Sequence, residues 1–137
     1  MLKINLLHPD ILAVLSSNGH GARILIADAN FPFSTCTPAA CKKVFLNLSP
    51  GVLTVTQVLE VIQQYMPVEA AIIMSPPDES QQPIHSEFRE ILGDGIIFKL
   101  EKRAGFYRET KSEETCLLIA TGDTRRFANI LIVMGSR

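Results

Sequence analysis

The chain has 137 residues, with 13 Lys and Arg against 14 Asp and Glu and a formal net charge of −1. This length predicts one domain with room for a sizeable core, and the lack of a basic stripe argues against a nucleic-acid partner. Apolar runs such as Ala70–Met74 are far too short to cross a bilayer, and no basic segment with a following apolar h-region opens the chain, so the cytosol is the expected compartment.

Pro9–Asn18 reads as a helix. Pro9 suits its first turn, Asp10 suits its positive end, Ile11, Leu12, Val14 and Leu15 share a face, and Gly19 stops it. Ala22–Ala27 is a β-favouring apolar run. Residues Asn30 to Pro50 carry Pro32, Pro38 and Pro50 with little periodicity, and read as a long irregular connection of the kind that often carries function. Thr54–Tyr65 reads as a second helix, capped by Thr54, striped by Val55, Val58, Leu59 and Ile62, and closed by Pro67.

Val68–Met74 follows as a buried strand, Ser75–Pro83 as a surface loop, Ile84–Leu92 as a short helix and Gly93–Gly95 as a turn. Ile96–Leu100 is a third strand and Arg103–Glu113 a further helix. Two last strands, Cys116–Ala120 and Asn129–Val133, flank the loop Thr121–Arg126. The alternation predicts a single α/β domain over residues 1–137, with a mostly parallel sheet flanked by helices. The short final connection predicts antiparallel pairing of the last two strands. Apolar content of 47% against 20% charged is high for a small domain and hints at burial against another subunit. Cys36, Cys41 and Cys116 are too few and too irregular for a disulfide framework or a zinc site, and read as free thiols.

His20 lies between Gly19 and Gly21, which permit unusual backbone angles, and imidazole suits proton transfer near neutral pH. His8 and His85 lack such a setting and read as surface residues. Asp28 ends the first strand, where α/β ligand sites gather; it reads either as a turn former or as an acceptor for ligand hydroxyls. Arg103 and Tyr107 are four apart on one helical face, fit to bind a polyhydroxylated ligand or to be a solvated surface. Asn129 offers donors and acceptors suited to a sugar, or ties down its loop. No Gly-rich phosphate loop, no Gly-x-Ser-x-Gly elbow, no His-Glu-x-x-His and no acidic metal cluster is present.

Four segments together resemble the ribose pyranase / fucose mutarotase family: Gly19-His20-Gly21 to Pro32, Val68-Glu69-Ala70-Ala71, Arg103 with Phe106-Tyr107, and Thr121-Gly122-Asp123 with Ala128-Asn129-Ile130. The match runs over nearly the whole chain. Gly-His-Gly, Asp-Ala-Asn-Phe-Pro and the Arg103/Phe-Tyr set resemble the fucose branch; the ribose branch typically lacks the Phe-Tyr pair. The resemblance implies an α/β fold, a ring-shaped homo-oligomer, commonly a decamer, active sites at subunit contacts, a free monosaccharide as substrate and a cytosolic role. By it His20 is the proton-transfer residue, Asp28, Arg103 and Asn129 bind the sugar, and Phe127 and Ala128 add backbone or side-chain contacts. Where the family usually has Tyr, this chain has Phe127, and the Glu expected after Thr-Gly is Asp123.

Mutarotation opens and recloses a cyclic hemiacetal with two positioned acid/base groups, and needs neither metal nor cofactor. On this expectation His20 is the general acid/base, Asp28 orients it or the sugar, and Arg103, Tyr107 and Asn129 hold hydroxyls. The competing classes are a non-catalytic sugar-binding or regulatory module and a structural α/β oligomer without ligand.

Overall fold

The computed structural model describes residues Met1–Arg137. Four helices, α1 (Pro9–Ser17), α2 (Val55–Ile62), α3 (Pro83–Leu92) and α4 (Arg103–Thr110), flank six strands. The strands are β1 (Arg23–Ala27), β2 (Lys42–Phe45), β3 (Val68–Met74), β4 (Ile97–Glu101), β5 (Thr115–Ala120) and β6 (Ile130–Met134). They form one sheet in the order β2-β5-β1-β6-β3-β4.

Side chains along each strand alternate between two cores, as a period of two requires. Ile24, Ile26, Leu117, Ile119, Ile130, Ile132, Ala71 and Ile73 face one core, which α1, α2 and α3 cover through Ile11, Val55, Val58, Leu59, Ile62, Ile84 and Phe88. Leu25, Ala27, Leu118, Leu131, Ile72 and Met74 face the other, covered by Phe106 of α4 and by Phe31, Cys36 and Cys41 of the connection after β1. Because both faces are covered, the central strands are continuous apolar runs.

The helices start where the sequence signals it. Pro9 and Pro83 occupy the first turns of α1 and α3. Thr54 caps α2 in a reciprocal box: Gln57 N donates to Thr54 Oγ1 at 3.2 Å, and Thr54 N donates to Gln57 Oε1 at 2.9 Å. Gly93 closes α3 with φ 77°, a conformation that favours glycine.

The sheet is mostly parallel, as expected: β1–β5, β2–β5 and β3–β4 pair parallel, whereas β6 runs antiparallel to both β1 and β3. Three expectations change. The last two strands are not paired with each other, because β1 lies between them. The connection from Asn30 to Pro50 is not wholly irregular, since Lys42–Phe45 adds to the sheet as an edge strand. His85 is buried rather than a surface residue, at 6% exposure. Cys36 and Cys41 are buried, and all three cysteines are free; burial first of all pushes the Cys41 thiol up to about 11. No helix is long and apolar enough to cross a membrane.

Candidate active site

Strand polarity decides where the polar groups meet. The carboxyl ends of β1 and β3 and the start of β6 lie at one end of the sheet, because β6 is reversed between them. A cavity of about 150 Å³ opens there, lined by Asp28, Asn30, Phe31, Met74, Arg103, Tyr107, Arg126, Phe127 and Asn129. Such a crevice outside the carboxyl ends of strands is where α/β folds usually bind ligands.

Asp28 and Asn129, 101 positions apart, form its floor, at 4% and 5% exposure. Asp28 N donates to Asn129 Oδ1 at 2.8 Å, and Asn129 Nδ2 donates to Asp28 Oδ2 at 3.0 Å. Asp28 Oδ1 accepts from Asn30 N at 3.0 Å. Burial raises the Asp28 carboxyl above its ordinary range, and the backbone amides of Asn30, Ala128 and Phe31 pull it partly back. Each carboxylate oxygen keeps lone-pair capacity for a ligand hydroxyl. Ala128 is wholly buried and reaches Asp28 through its backbone amide, not its side chain.

The walls come from α4 and from the segment before β6. Arg103 is exposed at the start of α4, with Tyr107 one turn later on the same face. The Tyr107 ring meets Phe31 edge-on, with centroids 5.7 Å apart, and burial raises its phenol. Phe127 sits in left-handed backbone geometry at φ 57°, an unusual state for a non-glycine residue. His85 Nε2 donates to its carbonyl oxygen at 3.1 Å and the His85 ring stacks on Phe88, so a buried histidine of α3 holds this bend.

The Thr121-Gly122-Asp123 loop locks the neighbouring backbone. Thr121 Oγ1 donates to Ala27 O at 2.7 Å, and Ala29 N donates to Asp123 O at 2.8 Å. Asp123 Oδ2 accepts from Val55 N at 2.9 Å and from Arg125 Nη2 at 2.8 Å, tying the loop to the start of α2. Burial alone would raise its carboxyl, but the Arg125 and backbone bonds bring it below the ordinary range. Gly122 admits no side chain, since a Cβ there would collide with the carbonyl oxygens of Ser49 and Val52.

His20 is not part of this cavity. It precedes β1, whereas Asp28 follows it, so about 16 Å of strand separates them. Within one chain Asp28 does not orient His20; Glu69 does. His20 Nε2 lies 2.8 Å from Glu69 Oε2, with the two side chains 62% and 45% exposed. Gly21, at φ 87°, makes the turn that presents the histidine, and its N–H donates to Met134 O at 2.8 Å. Gly135 packs closely against Glu69, where an added Cβ would lie 3.2 Å from Glu69 Cβ. Glu69, Asn30, Phe31, Met74 and Arg126 carry no assigned role in the sequence reading. For Glu69 the usable signal is a lone carboxylate at the head of an apolar strand; for Arg126 it is proximity to Phe127.

The whole chain, residues 1–137, matches the model of the RbsD / FucU transport protein family. It is 32% identical over 142 residues to a D-ribose pyranase of Serratia proteamaculans, covering 98% of each chain. It is 28% identical over 141 residues to the fucose mutarotase of Homo sapiens, covering 95% of this chain and 89% of that one. These identities do not separate the two branches. The fold superposes on Bacillus subtilis RbsD complexed with D-ribose at TM-score 0.86 and 24% identity, covering 100% and 99% of the chains. It superposes on the Streptococcus pneumoniae fucose mutarotase in complex with L-fucose at TM-score 0.83 and 25% identity, with the same coverage. Sequence and fold therefore agree over the full length, and the chain belongs to the RbsD / FucU family.

Proposed function

We propose that this protein is a sugar mutarotase acting on a free monosaccharide. The observation that carries the reading is the buried Asp28–Asn129 floor, a rigid pair of hydroxyl-binding groups at the base of a cavity. Arg103 and Tyr107 extend it, the Phe127 ring gives an apolar wall, and Ala128 contributes its amide. The reaction balances without a cofactor. A base takes the proton of the anomeric hydroxyl, its electrons form the carbonyl, the bond from the anomeric carbon to the ring oxygen breaks, and an acid protonates that oxygen. Rotation of the open aldehyde and reversal of these steps give the other anomer.

His20 is the acid/base in this proposal, supplied by a second copy of the chain. It lies at the wrong end of β1 to serve its own cavity, and it is exposed. Glu69 fixes Nε2 and leaves Nδ1 to face the sugar. Apolar side chains on the surface, Phe45, Leu48, Ile97 and Leu100 among them, suit a homo-oligomer, here a cytosolic ring of decamer type. The relatives are named for ribose and fucose. Arg103 with Phe106-Tyr107 favours a hexose of the fucose type. Phe127, which has no hydroxyl to offer, favours a second reading as a non-catalytic sugar-binding module.

NMR exchange between the anomers of fucose, ribose and galactose, with and without protein, tests this. Acceleration that falls about 10²-fold or more in His20→Ala supports it, and retained exchange in that variant removes His20 from the role. Binding without acceleration for any sugar identifies the binding module. Co-assembling His20→Ala with Asp28→Asn chains restores up to about a quarter of the activity if each site draws on two copies. No recovery places both residues in one chain's site.

A further inference from the structure

The sugar site described above gives α3 no part, yet α3 grips the segment that carries the wall and the floor. Resting on that reading, we infer that His85 is a positioning residue of the site: its Nε2–H holds the Phe127–Ala128 peptide, and through that peptide it sets the Phe127 wall and the Asp28–Asn129 floor. His85 lies outside the cavity lining, 6% exposed, with its ring stacked on the wholly buried Phe88. From that position Nε2 lies 3.1 Å from Phe127 O. A carbonyl oxygen only accepts, so the hydrogen is on Nε2. Burial first of all, and then the charge of Arg89, hold the ring's pKa below its ordinary value, so the ring is neutral near pH 7.

The bond matters because of what the peptide joins. A peptide is planar, so its C=O and N–H move as one body. Turning Phe127 O away from His85 turns Ala128 N–H away from the Asp28 carboxyl whose charge it favours. Phe127 also holds φ 57°, a region that residues with a Cβ rarely adopt and that the surroundings must impose. On one side of the peptide the Phe127 ring lines the cavity; on the other, Asn129 exchanges two hydrogen bonds with Asp28. α3 has a second grip two residues earlier, where Arg125 Nη1 donates to Glu87 Oε2 at 2.8 Å. That pair is 38% and 47% exposed and ends on a side chain, so it steadies the loop without fixing the backbone at 127.

His85→Phe keeps an aromatic ring beside Phe88 and removes the donor; His85→Gln keeps a donor the same number of bonds from Cα. Anomeric exchange by NMR is measured against concentration for whichever of fucose and ribose the wild type accelerates more. The expected result is half-saturation raised about tenfold in His85→Phe, restored to within about threefold in His85→Gln, and unmoved in Glu87→Gln. The Asp28 carboxyl, followed by ¹³C NMR, should titrate at higher pH in His85→Phe and return in His85→Gln. Asp123, Arg103, Tyr107 and Arg126, the other charged or titratable groups of the chain around Asp28, are intact in all three variants. His85→Gln as impaired as His85→Phe, or neither impaired, overturns the inference, because packing alone then accounts for His85. An equal rise in Glu87→Gln overturns it too. Should His85→Phe not fold, His85→Met, flexible and without a donor, takes its place. ¹⁵N NMR of the wild type should find the ring hydrogen on Nε2, and a hydrogen on Nδ1 overturns the inference without any variant. If the wild type accelerates no sugar, the mutarotase reading fails, and the Asp28 titrations decide the inference by themselves.

Discussion

The two ends of β1 are built on opposite principles. At its carboxyl end, Asp28 and Asn129 are nearly inaccessible and exchange two hydrogen bonds across 101 positions of sequence. At its amino end, His20 stands 62% exposed with a single partner, Glu69. The buried end has its polar atoms satisfied by its own chain, as a binding floor must before any ligand arrives. The exposed end offers an imidazole that its own cavity cannot reach. Under the proposed function, the contrast puts the sugar-binding groups inside a subunit and the proton-transfer group on its outside.

The largest expected effect comes from breaking the buried end. Asn129→Leu keeps the branched shape but strips Asp28 N and Oδ2 of their partner, costing roughly 1–3 kcal/mol for each group left unpaired. Chemical denaturation should show the loss, and sugar binding should vanish with it; an unchanged midpoint would mean that the floor is not built as described. At the exposed end, Glu69→Gln should change stability by less than about 0.5 kcal/mol, since exposed pairs contribute little. Its anomeric exchange should nevertheless slow about five-fold or more in kcat with KM unmoved, a loss of orientation and not of binding. A change confined to KM would place Glu69 among the sugar contacts instead.

The smallest effect sharpens the link between the two regions and α3. Burial lowers the pKa of His85 below its ordinary 6.5, so the folded state prefers the neutral ring. Stability from this group is complete above that value. It falls as pH drops through it, because the unfolded chain takes up the proton first. Thermal scans from about pH 7.5 to about pH 5 should show this loss in the wild type and a flatter profile in His85→Phe. Equal slopes would show that His85 does not titrate on unfolding.

Much of the scaffold is legible in the chain because its signals are local. Thr54 with Gln57, Pro9, Pro83 and Gly93 mark helix ends by short-range stereochemistry, and Val68–Met74 is apolar enough to be bounded correctly. Lys42–Phe45 escapes because an edge strand of four residues with one buried side chain, Val44, carries almost no pattern. The position of β6 escapes for a different reason. A short connection favours pairing of neighbours in sequence, and only the competition among apolar strands for a central place overrides it. Asp28, Arg103, Tyr107, Phe127 and Asn129 share one cavity as their residue types suggest, whereas the pairing of His20 with Glu69 depends on a register across β6 that no local signal encodes.

The last strand in sequence is central in space, and that has a consequence for how the molecule comes into being. Without residues 130–134, β2-β5-β1 and β3-β4 would be two separate ribbons with open, sticky edges and no shared register. β6 closes both at once, pairing with Ile24 and Ile73 across chain separations that make folding slow. The architecture of the sheet thus hangs on the last strand to be made. A frameshift or proteolytic cut that removes β6 would not trim this protein; it would leave two aggregation-prone halves.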